Sequence, residues 1–166
     1  MKHSYNCRMK FLILILIFPM FIFADMPFKE TRYIDSIDST RVLYGALEIK
    51  NDVLSLVYTK PNKETIIYDN NKMTIQNNGK IKEYLYTKYP HFEYMKIILT
   101  SITEDNYTVL NELFMVKISQ NAIFLEAKKK VSKAITSIEI LKNRKQIETI
   151  TINMSNSDKI TIETIH

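Results

Sequence analysis

Residues 42–59 read Val42-Leu43-Tyr44-Gly45-Ala46-Leu47-Glu48-Ile49-Lys50-Asn51-Asp52-Val53-Leu54-Ser55-Leu56-Val57-Tyr58-Thr59. β-Branched and aromatic residues crowd both halves, and Asn51-Asp52 separates them as a tight-turn pair. The spacing predicts an antiparallel hairpin of strands 42–50 and 53–59, with Leu43, Gly45, Leu47 and Ile49 on one face. The return strand is apolar on both sides: Leu54, Leu56 and Tyr58 point one way, Val53 and Val57 the other. An antiparallel strand with one wet face should alternate apolar with polar. One face therefore packs a core, and the other meets a second apolar surface or a cavity. The pattern leaves two architectures open, a sandwich or helix-covered sheet and a hydrophobic ligand pocket.

The same signature continues outward. Residues 28–35 predict a strand before the hairpin, and 64–68, 72–76 and 80–86 predict strands after it, with Ile66 and Tyr68 opposing Ile67. Their connections are Lys60-Pro61-Asn62-Lys63, Asp69-Asn70-Asn71 and Asn77-Asn78-Gly79, the last being the strongest hairpin signal in the chain. The period then changes. Phe92, Met95, Ile98, Leu99 and Ile102 fall at helical spacing, and Tyr107, Leu110 and Leu113 predict a second short helix capped by Asp105 or Asn106. Strands resume at 115–119, 122–127, 137–141, 146–153 and 159–164, with a helical turn at 132–135. Ten or eleven strands joined by short turns, with one helical segment between them, predict a mainly β protein with helices. The sheet is an antiparallel meander large enough to curl.

The chain of 166 residues has one domain's length. Its start reads differently from the rest. Lys2, Arg8 and Lys10 precede an uncharged run of 13 residues, Phe11 to Phe23, and Ala24 follows. Basic, apolar, small is the order of a cleavable secretory signal, and the expected division is a signal peptide at 1–24 and a domain at 25–166. Thirteen helical residues at ~1.5 Å each fall short of a ~30 Å hydrocarbon core. The single Cys, Cys7, lies ahead of the apolar run and would leave with it, so the domain is expected to fold without disulfides. Without Lys2, Arg8 and Lys10, the 23 basic residues fall to 20 against 18 acidic ones. That near-balance argues against nucleic acid as a partner.

Catalytic constellations are sparse. After the leader only His91 and His166 remain, which makes a zinc centre implausible, and the sequence holds no G-x-S-x-G and no phosphate-cradling glycine loop. We expect no metal, no cofactor and no enzyme activity. Lys128, Lys129 and Lys130, with Lys133, form the one basic cluster. It reads as a solvated turn or as a docking point for an acidic partner or anionic lipid headgroups. The many tyrosines carry an apolar body and a polar tip, and Met73, Met95 and Met115 supply adaptable walls.

One resemblance covers almost all of the predicted domain. The pattern Phe28-x-Glu30, Gly45-x-Leu47-x-Ile49, Asp52-x-Leu54-x-Leu56, Thr59-x-Pro61, Thr65-Ile66-Ile67-Tyr68-Asp69 and Met73-Thr74-Ile75 resembles the LolA-like outer-membrane lipoprotein carriers. The helices and the strands at 122–127, 137–141 and 146–153 follow in matching order. The resemblance implies a curved, incomplete antiparallel β-barrel whose concave side is covered by helices, with an acyl-chain cavity between them. It implies a carrier of lipoprotein or other lipid in the periplasm of a Gram-negative bacterium. Its partners would be an inner-membrane exporter and an outer-membrane acceptor, with transient membrane contact. The cavity residues expected on this basis are Leu47, Ile49, Leu54, Leu56, Tyr58, Ile66, Tyr68, Met73, Met95 and Leu99, or else the opposite face of the same strands, because the pattern does not say which face is inward. Only Asp25, Met26 and Pro27 stand between leader and first strand, where the founding carriers have a helix. Asn51-Asp52 stands where they have an Arg-Pro pair whose arginine helps hold the lid closed, so the resemblance names no lid-latch residue here. In this the chain is similar to the divergent subgroup that works beside export machinery for other lipids or polyketide-like products. The alternative expectation is a β-rich envelope scaffold or protein-interaction module with a filled core.

Overall fold

Two hairpin turns set the register from which the fold is built. Asn51 and Asp52 both take positive φ (50° and 62°), as do Asn78 (49°) and Gly79 (74°). Paired left-handed residues twist a two-residue turn in the same sense as its strands. In a computed structural model, which describes residues 26–144 and 146–165, these turns belong to an antiparallel sheet of 11 strands. The signal peptide expected at 1–24 and its cleavage point lie outside the described residues.

The strands are β1 (Met26–Ile34), β2 (Ser39–Lys50), β3 (Val53–Lys60), β4 (Glu64–Tyr68), β5 (Lys72–Asn77) and β6 (Lys80–Leu85), then β7 (Phe114–Ile118), β8 (Ala122–Ala127), β9 (Ile135–Asn143), β10 (Gln146–Met154) and β11 (Lys159–Thr164). The helix α1 (Pro90–Thr103) separates the two series. Their order across the sheet is β6-β5-β4-β3-β2-β1-β11-β10-β9-β8-β7. The described part of the chain starts at the centre, winds to one edge, crosses by α1 to the other edge and winds back, so β1 and β11 pair. β6 and β7 remain separate edges, and the sheet does not close into a barrel. The second predicted helix is only a 3-10 turn, Val109–Glu112, where the Thr108 amide donates to the Asn106 side chain over 3.3 Å. The turn expected at 132–135 leads directly into β9, which begins at Ile135.

Register explains why one face is the interior. Leu54, Leu56 and Tyr58 stand opposite Tyr68, Ile66 and Glu64, and the row continues through Met73 and Ile75. In the other half, Ile152, Ile138 and Leu125 align, as do Ile150, Ile140 and Ile123. Two clusters of buried residues form on this face, one under each half. α1 lies over both: Ile98 and Ile102 enter the β7–β10 cluster, Leu99 enters the β1–β5 cluster, and Met95 packs against each. Val53, Val57 and Ile67 occupy the opposite face and stay half-exposed. The two-sided apolarity of β3 and β4 thus does not place core and cavity on opposite faces.

Gly45 is fixed by close approach rather than by a turn. A Cβ there would lie 2.6 Å from the Val57 carbonyl oxygen and 3.1 Å from the Phe28 ring. Phe28 lies opposite Gly45 in the β1–β2 register and packs edge-on to Tyr58, with ring centroids 5.6 Å apart. Gly45→Ala is expected to destabilise the fold by about 2 kcal/mol, as an overpacked core position does. It should lower the urea midpoint with an unchanged slope.

Candidate functional site

The two clusters do not meet completely. Between them, under the first half of α1, is a cavity of about 420 Å³. Its sheet wall comes from β1, β3, β4, β5, β6, β9, β10 and β11, and its roof from His91, Phe92, Met95 and Leu99. Thirteen of its twenty lining residues are aliphatic, methionine or phenylalanine, among them Leu56, Ile66, Met73, Ile75, Ile152, Ile160 and Ile162. Exposure falls along it. Arg32, Glu64, His91 and Met154 are exposed or half-exposed, whereas Leu56, Tyr58, Tyr68, Met73, Leu99 and Ile152 are buried. The cavity therefore opens where β1 and β10 end and α1 begins, and is closed at the Tyr68–Met73 end.

The roof is anchored at two points on the β4–β6 side of the sheet. Tyr84 meets Tyr89 and Phe92 edge-on, with centroids 5.5 and 5.3 Å apart. Lys96 donates to the Asp69 carbonyl over 3.1 Å and ties the helix to the β4–β5 turn. Pro90 at the first helical position supplies a preset φ where no N–H partner is needed.

A buried polar cluster interrupts the apolar wall. Glu30 on β1 is 3% exposed. Its carboxylate accepts from the Tyr58 hydroxyl over 2.6 Å and from Arg32 Nε, and Arg32 Nη2 reaches the Tyr58 oxygen at 3.3 Å. Burial, reinforced by the neighbouring Glu30 charge, pushes the Tyr58 phenol well above its usual range, so it remains a donor. Burial would lower the Arg32 guanidinium, but the Glu30 hydrogen bond and charge outweigh it and hold the cation more firmly. Tyr68, at the closed end, is raised chiefly by burial.

Of the ten cavity residues expected from sequence, Leu56, Tyr58, Ile66, Tyr68, Met73, Met95 and Leu99 line the cavity. Leu54, Leu47 and Ile49 do not. They share the concave face but sit towards the Asn51-Asp52 turn, where Leu54 is packed into the β1–β5 cluster and Leu47 and Ile49 cover it half-buried. Lys128, Lys129 and Lys130 are exposed in the β8–β9 connection. The last residue of that connection, Ala134, and the first of β9, Ile135, line the cavity. Sequence reading missed Glu30 and Arg32 as site residues, although alternation with Phe28 placed both on the inner face.

Among the described residues no three His, Cys, Asp or Glu side chains gather as a metal would need, and no helix is long and apolar enough to cross a membrane. No protein-family model matches the chain, and no curated protein matches it.

Proposed function

We propose that this protein is a periplasmic carrier. Its cavity shields an acyl chain of a lipoprotein or other lipid between an inner-membrane exporter and an outer-membrane acceptor, and it performs no catalysis. The carrying observation is the apolar cavity between sheet and helix. Protein interiors close-pack. A concavity within the ~300–1,000 Å³ range, with apolar walls and a few placed polar groups, is the form of a small-molecule site. Each methylene kept from water contributes ~0.8 kcal/mol, which is the reason for carrying a chain in such a place. The arrangement of helix over concave sheet is the one the LolA-like resemblance implies, and membership of that divergent subgroup is part of the proposal. Lys128, Lys129 and Lys130 would meet anionic headgroups during transient membrane contact.

The experiment is equilibrium binding. The full chain, expressed with its leader in a Gram-negative host and recovered from the periplasm, is titrated with the methyl ester of a long-chain fatty acid carrying a polarity-sensitive dye. The expected result is saturable binding near one probe per protein. Absence of saturable binding contradicts the proposal.

A further inference from the structure

We propose that the cavity selects an acyl chain joined to its head through an uncharged carbonyl, an ester or amide, over one ending in a free carboxylate. This rests on the carrier reading and concerns the same cavity. Glu30 is a buried carboxylate on the wall, and its Arg32 partner lines the cavity with a side chain 36% exposed. A guanidinium has more N–H donors than the contacts to Glu30 and Tyr58 use. A donor is thus left for an oxygen of the cargo. It is not a free positive charge, because Glu30 already neutralises it. Glu64 also lines the cavity, held by the Asn77 amide over 3.0 Å. With His91 counted neutral, one positive lining residue faces two negative ones.

A carbonyl oxygen entering there accepts from Arg32 without adding charge. A carboxylate must lose its water beside an excess of negative charge. Arg41 lies opposite Arg32 on β2, and Lys133 precedes Ala134, but neither lines the cavity. Both are exposed, where solvent and salt screen them.

The test compares methyl dodecanoate with dodecanoate, each displacing the dye-labelled ester at pH 8 from the wild-type protein and from Glu30→Gln. Any apolar hollow prefers the ester, so the change in preference is the informative quantity. Gln keeps the oxygen that Tyr58 donates to and frees the Arg32 charge. The ester-to-acid affinity ratio is expected to fall roughly tenfold, the scale of a charge-assisted hydrogen bond. If circular dichroism shows that Glu30→Gln does not fold, Glu64→Gln is the second variant, with a shift of the same sign and smaller size. Both ligands binding with a ratio unmoved by the substitution overturns the head-group assignment and leaves the carrier reading standing. Neither ligand binding wild type overturns the carrier reading itself.

Discussion

Ile66→Trp should weaken binding of the dye-labelled acyl ester at least tenfold while leaving the fold intact. Ile66 is half-buried on β4, between Leu56 and Ile75 in the register; it packs at the edge of the β1–β5 cluster and lines the cavity. At a packed position the added indole would force off-rotamer side chains and cost about 1–3 kcal/mol. Here it has a hollow of about 420 Å³ to enter. The substitution therefore removes the space needed by hydrocarbon with little strain. The check pairs probe titration with thermal unfolding. Lost binding at a melting temperature within a few degrees of wild type is the expected combination. Undiminished affinity means the probe binds elsewhere.

The same contrast between packed positions and positions that line the hollow predicts that one substitution has two different costs. Ile138 on β9 is 0% exposed, with Leu125 and Ile152 beside it on the neighbouring strands. Ile138→Ala leaves a new void that rigid neighbours cannot fill, and should cost about 4 kcal/mol, in the upper part of the range for such truncations. Ile66→Ala only enlarges a space that already exists. It forfeits part of the transfer energy of the removed methyl groups, about 1 kcal/mol for a half-buried side chain. Urea unfolding of the two variants measures the difference. Equal losses would mean that Ile66 is as tightly packed as Ile138, and that the hollow is filled in solution.

Strands and turns were legible because each signal is local. Asn51-Asp52 and Asn77-Asn78-Gly79 sit where the hairpins turn, and period-two alternation marks Ile150/Ile152 and Ile160/Ile162 as inward pairs. β2 starts at Ser39, earlier than the predicted Val42, because Ile34 and Tyr33 of β1 supply ladder partners that polar residues 39–41 do not advertise. Strand order was not legible. That β1 pairs with β11, and that α1 bridges two edges, is settled by which strands find partners across the sheet rather than by any residue within them.

For the site, alternation sorted the side chains into two faces without saying which is inward; the face that holds Leu56, Ile66 and Met73 proves to line the cavity, and seven of the named residues do so. Alternation also carries no information on how far along a strand the hollow extends, and so it included Leu47, Ile49 and Leu54. The Glu30–Arg32–Tyr58 group was overlooked for a different reason. A charged pair on β1 and a tyrosine on β3 become one cluster only through the intervening β2, where Gly45 lets Phe28 and Tyr58 approach.

The most direct test of a hydrocarbon-holding cavity is to purify the protein from the periplasm without detergent, extract it with organic solvent and weigh the extract's components by mass spectrometry. About one acylated molecule per protein chain is expected, lost from Ile66→Trp purified in parallel. A wild-type protein that comes away free of any acylated molecule, and takes none up from vesicles, contradicts a hydrocarbon-holding cavity.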